Sequence, residues 1–325
     1  MYETLLSLIQ THHHIGIISH FRPDGDALGS TLALGLALQD MGKDVCMWNE
    51  DCVPARYAFL DGVEGIRPLP ELVPAELDLL ICVDTGDWKR LGDRAAALFA
   101  DFPAIVNIDH HGTNSGYGHY HFIEGGEAAC GYIIYKMLRS WSVELTPAIA
   151  SALYTAISTD TGSFQYSSTT PGVMRAVADL LEAGVDVGDI NRRIYQEIPL
   201  STLMVNREVL NHMVVESDGA LSHYSMPGGR KAELGISLED TKDLVDIIRT
   251  VQGVRVSVIF EDLEDGRIRM SLRSKDPRIN VAEIAAQFGG GGHAMAAGIR
   301  MKGTLEDVRE QVLKAIREKL MEFQN

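Results

Sequence analysis

Apolar positions change their spacing twice along the chain. From residue 14, short apolar runs alternate with segments of helical period. HIGIIS (14–19) predicts a strand, and DALGSTLALGLALQDMG (26–42) predicts a helix that stops at a glycine. KDVCMWN (43–49), LDLLICVD (77–84) and PAIVNIDH (103–110) predict further strands, the last two continuously apolar, as in a parallel sheet covered on both faces. From Ala128 the spacing turns helical, in segments 128–141, 146–160 and 171–184, with Pro147 and Pro171 in first turns. Two more amphipathic helices follow at 187–198 and 200–213. Beyond them, alternating runs at 219–226, 253–263 and 267–274 interleave with helices predicted at 238–249, 280–288 and 304–323.

This pattern predicts an α/β chain. Residues 1–185 form a domain with a mostly parallel sheet flanked by helices, 186–213 a helical linker, and 214–325 a smaller α+β domain with a mixed sheet. The length of 325 residues suits two domains of ordinary size. With 46% hydrophobic and 23% charged residues, both can bury a core. The net charge of −16 argues against a broad basic grip on long nucleic acid. It leaves anionic substrates open, because divalent cations held by an acidic cluster invert the local field. The amino terminus has no basic segment or small-residue cleavage site, and no apolar stretch is long enough to span a bilayer, so the expectation is a cytoplasmic protein without membrane contact. Cys46, Cys52, Cys82 and Cys130 form no CxxC pair and lie in or beside apolar runs, which predicts buried free thiols.

The chemistry concentrates where the predicted strands end. His20, Asp24, Asp26, Asp84, Asp109, His110 and His111 all follow a strand of the first domain, the usual place for a site in an open α/β sheet. Asp160 closes a helix. Together these supply enough oxygen and imidazole ligands for two divalent cations about 3.5–4 Å apart, one carboxylate bridging them. In His20-Phe-Arg-Pro-Asp24-Gly-Asp26, Pro23 and Gly25 enforce a tight turn that lets three ligands converge. Simpler roles compete: Asp26 could cap the following helix. A calcium loop of the EF-hand kind fails, because the twelfth position from Asp24 is Gly35. The two Asp-Thr-Gly segments, at Asp84 and Asp160, lack the paired β-rich lobes an aspartic protease needs.

With these residues assembled, the chain resembles the DHH phosphoesterase superfamily, and within it the DHH/DHHA1 nanoRNase and pAp phosphatase family. The motifs that carry the resemblance are ISHFRPDGDALGS, CVDTGD, IDHHGTN, ISTDTGSF and, in the C-terminal domain, SLRS and GGGGHAMAAG. The resemblance implies one metal on His20, Asp24 and Asp84 and another on Asp26, Asp84, His110 and Asp160, with Asp84 bridging. It also implies that His111 faces the phosphate and that Asp109 orients the pair of histidines that follows it. The ligand set suits Mn²⁺ best, with Mg²⁺, Co²⁺ or Fe²⁺ as alternatives.

In the C-terminal domain the resemblance implies a substrate-binding DHHA1 module. Gly290, Gly291 and Gly292 would let the backbone approach a phosphate, His293 follows them, and Arg273 would supply a fork of donors, with Ser271 and Arg278 as helpers. A Walker P-loop is excluded because no Gly-Lys-Ser/Thr closes the run. The implied reaction is hydrolysis of short oligoribonucleotides, including dinucleotides such as pGpG or pApA, to mononucleotides, together with removal of the 3′-phosphate of pAp. Cleavage between the domains and a homodimer are also implied. Competing readings are a linear or cyclic dinucleotide phosphodiesterase in signalling and a catalytically silent nucleotide-binding module. The C-terminal signature points away from a manganese pyrophosphatase, and a single-strand exonuclease acting on long substrates would need a more basic surface.

Overall fold

A computed structural model describes residues 2–236, 241 and 244–323 of the chain. They divide into two compact units, Met1–Glu197 and Ile198–Asn325. The helix predicted at 238–249 lies partly outside the described residues. Among the described residues, no helix is long and apolar enough to cross a membrane.

The first unit runs α1 (Tyr2–Thr11), β1 (His14–Ile18), α2 (Gly25–Asp40), β2 (Asp44–Asn49), β3 (Ile66–Pro68), β4 (Leu79–Val83), α3 (Asp93–Leu98), β5 (Ile105–Asp109) and β6 (Tyr120–Ile123). Four helices complete it: α4 (Cys130–Ser140), α5 (Pro147–Asp160), α6 (Pro171–Glu182) and α7 (Val187–Asn191). Its strands form one sheet in the order β3-β2-β1-β4-β5-β6, every pair parallel. The chain therefore winds outward in both directions from β1, which opens a crevice at the carboxyl ends of β1 and β4. Every residue of β4 and β5 is buried. One face of the sheet is covered by α2 and α4 through Leu28, Leu32 and Ile134, and α5 packs on α2 through Leu153. The other is covered through Leu91, Ala95 and Phe99. Because α2 lies between the sheet and α5, its residues from Gly25 to Gly35 are all buried, which explains its nearly uniform apolar sequence.

The second unit contains α8 (Leu200–His212), β7 (Val214–Glu216), β8 (Leu221–Met226), α9 (Arg230–Leu234), α10 (Leu244–Arg249), β9 (Val256–Asp262), β10 (Arg267–Ser274), α11 (Val281–Ala286), β11 (Gly291–His293), β12 (Ala296–Lys302) and α12 (Leu305–Met321). Its mixed sheet has the order β11-β12-β10-β9-β8-β7, with β8 and β9 parallel and the other pairs antiparallel. Residues of α11 and α12, among them Ile284, Val312 and Ile316, share a core cluster with Leu272, while Val205 of α8 and Ile248 of α10 share another with Ile259. Residues 186–213, expected as one connector, divide between the units: Ile190 joins the first core, and Val205 and Val209 join the second.

One expectation needs correction. Cys82 and Cys130 are buried, but Cys46 and Cys52 are exposed. Cys46 occupies the outward position of a strand whose first half is not covered, so its apolar neighbourhood in sequence does not bury it. In the glycine-rich segment, Gly291–His293 is a short strand paired with β12.

Candidate functional site

The turn after β1 brings His20 and Asp24 to the crevice. Asp24, rather than Asp26, caps α2: its Oδ1 accepts from the backbone N–H groups of Asp26 and Ala27, both at 3.1 Å. The cap leaves Oδ2 directed at His20 Nε2, 3.7 Å away. His20 Nδ1 donates to the Phe21 carbonyl at 2.9 Å, so Nε2 is the nitrogen presented to the cluster.

Asp84, just past β4, is the centre of the arrangement. Its backbone adopts φ +53°, a left-handed conformation costing a residue with a Cβ about 1–2 kcal/mol, and its N–H donates to the Ile108 carbonyl of β5 at 3.0 Å. The carboxylate thereby faces two ways. Oδ2 lies 3.5 Å from His20 Nε2, and Oδ1 lies 3.5 Å from His110 Nε2. Oδ1 is buried and accepts no hydrogen bond from the described residues. An orphaned carboxylate oxygen in so dry a place fits a cation as its missing partner.

His110 Nδ1 donates to the Glu127 carbonyl at 3.0 Å, again turning Nε2 inward, where it lies 3.7 Å from Asp26 Oδ2 and 3.4 Å from Asp160 Oδ2. Asp26 is 1% exposed and firmly held: Oδ2 accepts from Cys130 N–H (2.7 Å), and Oδ1 from Gly131 N–H (2.8 Å) and Ser30 Oγ (3.0 Å). Asp160 ends α5. Its approach to Asp26 depends on Gly25, where a Cβ would lie 2.4 Å from Thr159 Oγ1. Asp109 is fully buried; its Oδ1 accepts from His111 Nδ1 at 2.7 Å and its Oδ2 from Asn114 Nδ2 at 2.6 Å. Asn114 Nδ2 also donates to Asn107 Oδ1 at 2.8 Å, so a pair of asparagines to which the sequence assigned no role stands behind Asp109. The polar Asn in IDHHGTN, five residues beyond a buried Asp, is the signal that marks Asn114.

The described residues thus contain three groups whose ligand atoms lie within 4.8 Å of one another: His20 with Asp24 and Asp84; Asp26 with His110 and Asp160; and Asp84 with His110 and His111. Burial alone would lower the His20 imidazole, but Asp24 and Asp84 outweigh it and lift its pKa to about 10. His110 is likewise pushed up to about 11, burial being overcome by Asp84, Asp26 and Asp160. Burial, then the Asp84 and Asp160 charges, drive Asp26 well above the usual carboxylate range. So many acids in one crevice call for positive charge, which protons on the two histidines provide and divalent cations would provide better.

In the second unit, strand register defines another surface. Ala296 of β12 pairs with Arg273 of β10 on one side and His293 of β11 on the other, so these three share one face of the sheet. Two residues along, Gly291, Gly298 and Ser271 continue that row with almost no side chain. The result is a shallow floor between a guanidinium and an imidazole. Arg273 is oriented by Asp246, whose Oδ1 lies 3.3 Å from its Nε. Gly290 and Gly292 approach β12 itself: a Cβ on Gly292, at φ +142°, would lie 2.5 Å from the Ala296 carbonyl. Gly291 has open space instead. Arg278 lies outside this row and pairs with Asp276 at 2.8 Å.

An all-parallel sheet with Asp and His at its switch point, followed by a mixed sheet with a glycine-rich edge, defines a two-part class of α/β protein. Residues 14–157 match the DHH family N-terminal domain and residues 226–322 the DHHA1 domain. The chain belongs to the DHH family, in the branch whose members carry a DHHA1 domain. It is 36% identical over 309 residues to the bifunctional oligoribonuclease and PAP phosphatase NrnA of Thermus thermophilus, covering 94% of this chain and 90% of that one. The Bacillus subtilis protein of the same description is 24% identical over 301 residues, covering 92% of each. Among solved structures, an exopolyphosphatase-related protein from Bacteroides fragilis matches with a TM-score of 0.90 at 25% identity, over 99% of this chain and 96% of that one.

Proposed function

We propose that this chain is a divalent-metal phosphoesterase that hydrolyses short oligoribonucleotides, including dinucleotides, to mononucleotides and removes the 3′-phosphate of pAp. The observation that carries the reading is the divided Asp84 carboxylate, one oxygen turned to His20 and the other, without a hydrogen-bond partner among the described residues, to His110. His20, Asp24 and Asp84 would hold one cation, and Asp26, Asp84, His110 and Asp160 the other, with Mn²⁺ best suited to this oxygen and imidazole set. The names of the curated relatives, which cover nearly the whole chain, support the substrate class.

Bound cations would supply charge neutralisation at the phosphoryl group and activation of the attacking water. The chain's own residues do the rest. Carbonyl groups of Phe21 and Glu127 fix the tautomers of His20 and His110. Asp109, itself held by Asn114, orients His111 toward the phosphate. Arg273, with Gly290, Gly291, Gly292 and His293, binds a terminal phosphate of the substrate, Arg273 offering a planar fork of donors.

The test is turnover, with Mn²⁺ supplied, of pAp, a 5′-phosphorylated diribonucleotide, a 24-nucleotide RNA and pyrophosphate side by side. Rapid release from the first two and little from the others is expected. Preference for pyrophosphate or the long RNA would contradict the role given to the second unit.

A further inference from the structure

The end of β2 grips the loop that carries His20 and Asp24. Asn49 is 1% exposed, and its Nδ2 donates both to Ser19 Oγ and to the His20 carbonyl, each at 3.0 Å. Its Oδ1 accepts from the Asp51 N–H at 3.0 Å, which bends the chain so that Asp51 Oδ2 accepts from the Arg22 N–H at 2.7 Å. Arg22 has φ +54°, a conformation unfavourable for a residue with a Cβ and kept only where surrounding contacts impose it. Between the two, Glu50 anchors the segment in the opposite direction, its Oε2 accepting from Ala95 N–H of α3 at 2.9 Å. Three consecutive side chains thus tie the loop to the sheet and to the helix behind it.

We infer that Asn49 and Asp51 are positioning residues for metal binding. Neither reaches the ligand cluster. Asn49 holds the carbonyl of His20, and Asp51 holds the left-handed Arg22 midway between His20 and Asp24, the two ligands that flank it. If Arg22 relaxed to negative φ, the peptide planes on either side would rotate. His20 Nε2 and Asp24 Oδ2 would then no longer face Asp84 together, and a metal site tolerates displacement of its ligands by only about 0.5 Å. This inference rests on the proposed metal site but assigns roles to residues outside it.

The experiment is equilibrium Mn²⁺ binding, read from the paramagnetic resonance of the free ion, with melting of the metal-free proteins measured in parallel. Asp51 is exposed, so Asp51→Ala is expected to melt like wild type when metal-free yet to bind Mn²⁺ about tenfold more weakly, the scale typical of outer partners of ligands. Asp51→Asn keeps an acceptor for Arg22 N–H and should stay within about twofold of wild type on the same reasoning. Asn49→Ala, if it folds, should lose at least as much affinity as Asp51→Ala. Unchanged affinity in Asp51→Ala, or equal loss in Asp51→Asn, would overturn the inference. Wild-type protein that takes up no Mn²⁺ would sink the metal reading and the inference together.

Discussion

At the scale of single residues, the account turns on which side chains are held and which are left wanting a partner. Both oxygens of Asp26 and of Asp109 accept hydrogen bonds from the fold, whereas one oxygen of Asp84 accepts none from the described residues. Asp84→Ala should therefore lower turnover of the diribonucleotide by at least about a hundredfold with the fold intact, as steady-state kinetics and circular dichroism would show. Asn114→Ala acts one step further out. It should lower kcat about tenfold with KM nearly unchanged, because it frees Asp109 to rotate away from His111. For Arg273→Ala the expected split is reversed: KM for phosphate-ended substrates rises by roughly ten- to a hundredfold, while Mn²⁺ uptake is unaffected. Loss of metal in that variant would contradict the division of roles. The acids and histidines were legible because strand ends are legible: a continuous apolar run such as LLICV must stop where a charge begins. The partners that orient them were harder to read: Asn114 is marked only by its place five residues beyond Asp109, and Gly131 meets Asp26 through a crossing that no local spacing encodes.

At the scale of elements, what matters is how closely α2 and α5 approach. The bare Cα of Gly25 against Thr159 lets the start of one helix meet the end of the other, where Asp26 and Asp160 stand. Gly25→Ala should cost about 1–3 kcal/mol in urea unfolding and weaken Mn²⁺ binding, as overpacking at a helix contact does. The buried parallel strands follow from their continuous apolar runs and the long helices from their periodicity. Tyr120–Ile123 and Ile66–Pro68 do not, being too short to show a period. Gly291–His293 was hidden for another reason: its glycines carry no polar–apolar contrast, so it reads as a turn; Ala296–Lys302 does alternate, Ala297 and Ile299 buried against exposed Gly298 and Arg300, but its period begins only after the glycine-rich run.

At the scale of the whole molecule, each unit has its own core, and the residues proposed to hold metal all belong to the first. A cation bound only by the folded state should stabilise that unit by about 2.7 kcal/mol at a hundredfold excess over its Kd. Hydrogen exchange should show the gain as slower exchange in residues 20–26, 84–86 and 109–114, with the sheet of the second unit unchanged. Protection spread equally over both units would place the cation elsewhere. The most direct test of the central claim is the number of Mn²⁺ ions bound per chain at saturation, in wild type and in Asp84→Ala. Two ions in wild type and the loss of paired binding in the variant are the predicted result. A single ion in wild type, or two ions retained without the Asp84 carboxylate, would contradict the assignment of Asp84 as the bridge.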